Sequence, residues 1–186
     1  MKEEIEKSLE ILHSGGLILY PTDTVWGIGC DATDPAAIKK IFTLKERSDS
    51  KTMLCLVSDD AMLERHVEKV PDLAYDILDL ADKPVTIVYD KPQGVAQNLI
   101  AEDNTLAIRV ASDSFCKSLI QKLRKPIVST SANLAGAPTP ASFDEISDHI
   151  LKGVDYVVNL KREGVRSTPS SIIKLSNDGT VQVIRE

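Results

Sequence analysis

The sequence predicts an α/β domain built on a mixed β-sheet with flanking helices. Short apolar segments alternate with amphipathic helical segments over most of the chain, which is the pattern of an α/β fold. The last three apolar segments, 156–159, 171–174 and 181–184, follow one another without long intervening helices, which argues against a wholly parallel sheet. The 186 residues suit one ordinary domain, so a single domain is expected over 1–186.

Helices are predicted where apolar residues recur every three or four positions. Such segments begin near Ile5, after Asp34, at Leu73, after Ser112 as a cap, and after Ser142. Asp34 before Pro35 is typical of an N-cap followed by proline at the first helical position. Ser142 and Glu145 have the spacing of a capping box for a helix through Ile150. These starts are therefore marked by the residue types that satisfy free backbone N–H groups.

Strands are predicted in short apolar runs bounded by turn residues. Besides the three near the end of the chain, they lie at 17–20, 54–57, 85–89, 106–110 and 127–130. The segment 91–105 is the longest stretch without clear periodicity, and it is expected to form a mobile loop over the site. No apolar run approaches the length needed to span a membrane.

The charge distribution favours a small anionic ligand. The net charge of −6 at pH 7 argues against a protein that coats nucleic acid non-specifically. Cationic residues in loop-like segments are Lys45, Arg47, Lys51, Arg109, Arg166 and Arg185, whereas many carboxylates lie on predicted helix faces. An acidic exterior with a local basic cleft is therefore expected.

The cysteines and histidines give no sign of a metal site. Cys30, Cys55 and Cys116 are odd in number and lack metal-ligand spacing, which favours reduced thiols. The three histidines are equally scattered along the chain. No metal ligands are therefore assigned to protein side chains.

Two short clusters carry the donors that a phosphate chain needs. Lys45-Glu46-Arg47 offers two positive charges two residues apart, and Ser129–Asn133 offers hydroxyls, an amide and turn N–H groups. Each has a purely structural alternative: cations also favour a helix C-terminus, and Ser and Asn are common in turns. Lys51, six residues after Lys45, favours the phosphate interpretation.

The segment Pro21–Gly29 and Arg109 are open to two interpretations each. Thr22 and Thr24 could offer hydroxyls to a ligand or cap their own turn. Arg109 stands in an apolar strand and requires an anionic partner, either a protein carboxylate or a substrate, of which the substrate is preferred. Trp26, the only tryptophan, is expected in the core.

Taken together, six motifs make the chain resemble the YrdC-like threonylcarbamoyl-adenylate synthases in their short single-domain form. The resemblance extends over essentially the full chain. The motifs are Pro21-Thr22-Asp23-Thr24-Val25-Trp26-Gly27, Lys45-x-Arg47, Pro84-Val85-Thr86, Thr105–Val110, Ser129–Gly136 and Pro169–Ile173, in that order. Each is weak alone, but six in the right order are a specific signal. The resemblance implies a twisted, open mixed sheet around a deep basic cavity.

The resemblance also implies a reaction. The family joins L-threonine, bicarbonate and ATP into threonylcarbamoyl-AMP and pyrophosphate, for N6-threonylcarbamoylation of the tRNA adenosine next to the anticodon. ATP would bring Mg²⁺, and a downstream threonylcarbamoyl-transferase complex would receive the adenylate in the cytoplasm. By resemblance, threonine would be bound by Thr24, Arg109, Ser131 and Ser170. ATP would be bound by Lys45, Arg47, Lys51, Thr105, Asn133 and Arg185, with Lys45 and Arg47 as the catalytic residues.

Two other functions stay open at this point. The first is a module that binds double-stranded RNA or tRNA without catalysis, against which the acidic composition counts. The second is a carbamoyl-handling domain of the kind fused within larger hydrogenase-maturation proteins.

The amino-acid specificity also stays open. Leu56 stands where many members of the family place a histidine near threonine, so the sequence does not decide between threonine and serine.

Overall fold

The structure, a computed structural model, describes residues 1–46, 53–163 and 168–186. Six α-helices in these ranges are α1 Lys2–His13, α2 Pro35–Leu44, α3 Asp60–His66, α4 Asp72–Leu80, α5 Ser114–Leu123 and α6 Asp148–Gly153. The strands are β1 Ile18–Pro21, β2 Trp26–Gly29, β3 Leu54–Val57, β4 Val85–Asp90, β5 Thr105–Val110, β6 Ile127–Ser131, β7 Tyr156–Val157, β8 Ser171–Leu175 and β9 Val181–Arg185. Within the described ranges no helix is both long and apolar enough to cross a membrane.

The strands form one sheet in the order β7-β1-β2-β6-β3-β5-β4-β8-β9. Three neighbouring pairs are parallel, namely β1–β7, β3–β5 and β4–β8, and the other five are antiparallel. The prediction of an α/β fold with a mixed sheet is therefore confirmed.

A row of apolar side chains crosses the middle of the sheet and forms part of the core. Ile87, Ile108, Cys55 and Val128 are neighbours in register on β4, β5, β3 and β6, and all are almost fully buried. Helices α3 and α5 pack against β3. Because side chains alternate along a strand, the residues next to this row point to the opposite face.

Two predicted helix starts are wrong in detail. Helix α5 is capped by Asp113, whose carboxylate accepts from the backbone N–H groups of Phe115 and Cys116 at 3.1 Å, because an aspartate one residue after Ser112 already fits the cap position. Glu145 accepts from the backbone N–H of Ala141 at 2.9 Å, and a 3₁₀ turn over Phe143–Glu145 is closed by the N–H of Ile146, which donates to the carbonyl of Phe143. Helix α6 starts only after Ser147.

The segment 91–105 does not lie over the cavity described below, so that prediction is wrong. It packs against α2: the backbone N–H of Ala96 donates to the carbonyl of Ala32 at 2.9 Å, and the Asn98 amide donates to the carbonyl of Pro35 at 3.0 Å. A 3₁₀ turn at Gln97–Leu99 buries Leu99. Three residues are too few to produce a periodic signal.

The three cysteines are free and buried. Burial raises the pKa of the Cys30, Cys55 and Cys116 thiols above the ordinary value. They are therefore protonated at neutral pH, and their role is packing rather than nucleophilic chemistry.

We expect Gly29→Ala to be strongly destabilising, because β2 passes close to its neighbours at this point. A Cβ on Gly29 would lie 2.6 Å from the carbonyl oxygen of Val128 and 2.7 Å from the Tyr20 ring. Overpacking of this kind costs about 1–3 kcal/mol, and urea unfolding would measure it. Gly179→Ala is the control, because there φ is +89° but nothing lies within 4 Å, so it reports backbone strain alone. A loss for Gly29→Ala below about 1 kcal/mol would contradict the crowding at Gly29.

Candidate functional site

A cavity of about 360 Å³ opens on the face of the sheet opposite the apolar row. Its wall is made by alternate residues of the central strands, including Thr86, Ala107, Arg109, Ser129 and Ser131. The rest of the wall comes from the β1–β2 loop, from Gly27, Met53, Leu54, Val88, Thr130 and Thr139, and from Pro169, Ser170, Ile172, Ile184 and Arg185 near the end of the chain. The wall is thus rich in hydroxyl groups and contains two arginines.

The β1–β2 loop holds its two threonines in a tight turn. The Thr22 hydroxyl donates to the carbonyl of Val25 at 2.7 Å and accepts from the backbone N–H of Thr24 at 3.0 Å. The two hydroxyl oxygens lie 3.0 Å apart. Both residues also line the cavity. Turn formation and ligand contact are therefore compatible here, since the hydroxyls that shape the turn also form the wall.

Arg109 has a protein carboxylate as its charge partner. Its Nη2 lies 2.9 Å from Oδ1 of Asp23, and both side chains are more than nine-tenths buried. Its Nη1 donates to the Thr24 hydroxyl at 3.2 Å, and Nε has no acceptor among the described residues. The structure therefore supplies the partner that the sequence analysis did not prefer. Arg109 still lines the cavity, so its contact with a substrate stays a prediction.

A second set of hydrogen bonds holds Ser170 at the opposite side of the cavity. Its hydroxyl lies 2.8 Å from that of Thr86, and both are buried. Its carbonyl accepts from Nε and Nη2 of Arg185, at 3.0 and 2.7 Å. Burial lowers the pKa of Arg185, and the positive charge of Arg109 lowers it further. Two like charges that interact across one wall favour an anion between them.

A β-bulge turns Arg185 toward the cavity. Val183 is in register with Ile173, whereas Arg185 is in register with Ile172, so Ile184 is an extra residue in β9. An unbulged strand would place Arg185 beside Ser171, on the face away from the cavity. With the bulge, Arg185 reaches the wall, as bulges next to functional sites often re-aim a side chain.

Lys45 lies behind the wall rather than in it. As the C-terminal cap of α2 it is almost fully buried, and its ammonium group donates to the carbonyls of Ser131 and Asn133, the latter at 2.6 Å. The carbonyl of Lys45 in turn accepts from the backbone N–H of Ala135 at 2.9 Å. The lysine thus fixes the loop that follows β6, which carries the predicted Ser129–Asn133 cluster.

Asn133 is held in the same loop by its own amide. Its Nδ2 donates to the carbonyls of Leu134 and Ala137 at 3.0 and 2.7 Å. Its Oδ1 is buried and has no donor among the described residues. Most buried acceptors in proteins have a donor, so this oxygen is a candidate contact for a ligand.

Comparison with known proteins identifies the family. The Sua5/YciO/YrdC family model, described as "Telomere recombination", matches residues 10–186. The chain belongs to this family. The protein named threonylcarbamoyl-AMP synthase from Idiomarina loihiensis is 31% identical over 183 residues, covering 95% of this chain and 96% of the relative.

Solved structures agree with this assignment. E. coli YciO superposes with a TM-score of 0.85 at 28% identity, covering all of this chain and 90% of YciO. P. abyssi Sua5 complexed with L-threonine gives a TM-score of 0.81 at 24% identity and shows the fold alone. The match covers 92% of this chain but only 50% of the longer Sua5 chain.

Half of the site residues that the family resemblance implies lie together in the cavity wall. These are Thr24, Arg109, Ser131, Ser170 and Arg185. Lys45 and Asn133 lie in the layer behind Ser131. Arg47 and Lys51 lie outside the described residues. The cavity brings together the four residues that are predicted to bind the substrate L-threonine. Their contact with that substrate stays a prediction.

Thr105 stands apart from the described wall. It is two residues from Ala107 on β5 and is buried, but its hydroxyl donates to Asp103 at 2.6 Å. Asp103 in turn pairs with Lys174 at 2.9 Å. The predicted contact of Thr105 with ATP would therefore require its hydroxyl either to leave Asp103 or to accept a second hydrogen bond while it still donates to Asp103.

Several residues in and next to the wall have no binding role in the sequence analysis. Thr86 stands in one of the six motifs, and strand alternation also indicates its face, since it precedes apolar Ile87 on a central strand. Thr139 lies in a loop without periodicity, so no local signal marks it. Ser112 and Asp23 are 89 residues apart in sequence, yet the Ser112 hydroxyl donates to Oδ2 of Asp23 at 2.7 Å. Only the three-dimensional fold reveals that contact.

The wall offers cations and hydroxyls rather than metal ligands. Its charged members in the described ranges are Arg109 and Arg185. No cluster of three or more His, Cys, Asp or Glu residues suited to a metal ion occurs in the described part of the chain. Such a donor set matches anionic oxygens, while a divalent ion would need ligands from elsewhere.

Proposed function

We propose that this protein is an L-threonylcarbamoyladenylate synthase, a nucleotidyltransferase that forms threonylcarbamoyl-AMP and pyrophosphate from L-threonine, bicarbonate and ATP. The observation that carries the proposal is the full-length similarity to a protein named threonylcarbamoyl-AMP synthase. The wall of two arginines and several hydroxyls supports it, because these groups suit a carboxylate and a phosphate chain. The product serves N6-threonylcarbamoylation of the tRNA adenosine next to the anticodon.

The amino acid binds between the β1–β2 loop and Ser170. Thr24, Ser131 and Ser170 offer hydroxyls, and Arg109 binds the carboxylate. The threonine complex of the P. abyssi relative supports a threonine site in this fold. Leu56 is buried and in register with Arg109, so an apolar side chain stands beside the arginine.

ATP lies along the loop after β6 and reaches the end of the chain. Lys45, Asn133 and Arg185 bind it together with Arg47, Lys51 and Thr105. The amine of threonine reacts with bicarbonate to give a carbamate and water. A carbamate oxygen then attacks the α-phosphorus, so that a new O–P bond forms and the bond to the leaving pyrophosphate breaks. Fixed cations stabilise this approach of two anions.

The described wall contains neither histidine nor carboxylate to act as a general base. Lys45 and Arg47 are proposed as the catalytic residues, Lys45 from behind the loop after β6, where its ammonium group donates to the carbonyls of Ser131 and Asn133. Catalysis then rests on positioning and charge. Mg²⁺ would arrive with ATP as part of the substrate and would offset part of the negative charge of the phosphates. The protein acts as one domain over 1–186, in the cytoplasm, and passes the adenylate to a threonylcarbamoyl-transferase complex.

Pyrophosphate release is the direct test. Purified protein with MgATP should release pyrophosphate only when L-threonine and bicarbonate are both present, and mass spectrometry should detect threonylcarbamoyl-AMP. Omission of each substrate in turn is the control. Binding of tRNA or double-stranded RNA without any pyrophosphate release would instead favour the non-catalytic RNA-binding alternative.

A further inference from the structure

Asp23 occupies a position that the proposed reaction does not explain. It lies in the β1–β2 loop between the two threonines and is not itself part of the described wall. One of its oxygens lies 2.9 Å from Nη2 of Arg109. The other accepts from the hydroxyl of Ser112 at 2.7 Å and from its backbone N–H at 3.4 Å. The carboxylate thus connects two residues of the segment that begins with β5.

The contact between Asp23 and Arg109 is a charge pair without an aligned hydrogen bond. Oδ1 of Asp23 has no hydrogen-bond donor among the described residues, and Nε of Arg109 has no acceptor there. The arginine therefore keeps donor capacity while its charge is balanced. A buried guanidinium without such a partner would be strongly unfavourable.

We infer that Asp23 is the positioning residue that orients Arg109 toward the substrate. An arginine side chain is long and has many rotamers, so its fork must be fixed before it can bind a carboxylate in one geometry. The charge of Asp23 holds Nη2 at 2.9 Å, the Thr24 hydroxyl accepts from Nη1 at 3.2 Å, and Nε keeps its donor without an acceptor among the described residues. Ser112 holds the carboxylate itself in place. The kinetic consequence rests on the proposed function, whereas the geometric one does not.

Positioning and simple charge balance predict opposite effects for Asp23→Asn. If Asp23 only reduced the positive charge of the site, its neutralisation would attract anions more strongly, and the KM values for both threonine and ATP would fall. If it positions Arg109, the KM for threonine rises about tenfold although the site has become more positive. The KM for ATP then changes by less than about twofold.

Steady-state pyrophosphate release would distinguish these cases, with Asp148→Asn as the matched control. Asp148 undergoes the same chemical change in an exposed pair with Lys152 on α6, and neither residue belongs to the cavity wall. Ser112→Ala is the second variant, which keeps both charges and should raise the threonine KM in the same direction but less. Ser112→Ala also tests the inference if the Asp23→Asn variant fails to fold. An unchanged or lowered threonine KM in the folded Asp23 or Ser112 variant would overturn the inference.

A measurement without substrates separates this inference from the proposed function. In ¹⁵N-edited NMR spectra, a fixed guanidinium gives separate Nη signals, whereas a rotating one gives averaged signals. We expect separate signals for Arg109 in the wild type and averaged ones in Asp23→Asn, with Arg109→Lys used for assignment. Identical Arg109 signals in both would refute the positioning role. A wild type that releases no pyrophosphate would refute only the proposed function.

Discussion

Arg109→Ala is expected to lower the free energy of unfolding by about 3–5 kcal/mol, the cost of leaving one member of a buried ion pair alone. The variant leaves the Asp23 carboxylate without its cation at a site where both side chains are more than nine-tenths buried. The Thr24 hydroxyl also loses its donor. Urea unfolding followed by circular dichroism would measure the change, and an unchanged m-value would show that the variant still unfolds in one step.

The double variant Asp23→Asn/Arg109→Met tests whether the unpaired charge is the cause. Removing both charges should restore part of the lost stability, because no buried ion then lacks a partner. Lys152→Ala is the control for an exposed pair, where the loss should be below about 1 kcal/mol. A loss for Arg109→Ala that is no larger than the control's would contradict the buried pair.

A kinetic prediction concerns Arg109→Lys, which keeps the positive charge but loses the planar guanidinium group that can bind a carboxylate through two hydrogen bonds. In an assay of pyrophosphate release, the KM for threonine should therefore rise more than the KM for ATP.

Local chemistry predicted the elements of the fold better than their arrangement. Asp34 caps α2 as expected, because its capping bonds involve only the next three residues. Helix α3 went unpredicted, since its seven residues bury only Met62 and Leu63, which is too few for a periodic pattern. Sheet order depends on contacts between distant segments, and a single sequence does not encode these in any local signal.

The site was predicted in its residues but not in its geometry. The Ser129–Asn133 cluster was predicted from its donors alone, and the sequence does not show that β6 is antiparallel to both of its neighbours. Ser129 and Ser131 line the cavity because side chains alternate between the two faces of the sheet along β6. The partner of Arg109 was missed because Asp23 reads as a turn residue until the chain brings it against β5. The bulge at Ile184, which turns Arg185 inward, leaves no trace in the composition of β9.

Lys45→Met is expected to reduce pyrophosphate release by about 10- to 150-fold, which corresponds to the loss of a charged contact worth about 1.5–3 kcal/mol. Methionine keeps much of the volume of the buried side chain but supplies no ammonium group. The carbonyls of Ser131 and Asn133 then lose this donor, so the loop after β6 is no longer fixed by α2. We also expect the free energy of unfolding to fall by about 1–3 kcal/mol, since buried acceptors are left unsatisfied.

Lys40→Met is the matched control for that result, because Lys40 lies on the same helix and its ammonium group also donates to a carbonyl, that of Gly15 at 2.7 Å, but at the surface. Its activity should stay near that of the wild type. If Lys45 acts only by holding the loop, the kcat of Lys45→Met should fall with the KM for threonine and ATP changing together. If it also meets the phosphates, the KM for ATP should rise alone. A folded Lys45→Met variant with the turnover of the Lys40→Met control would remove Lys45 from the site altogether.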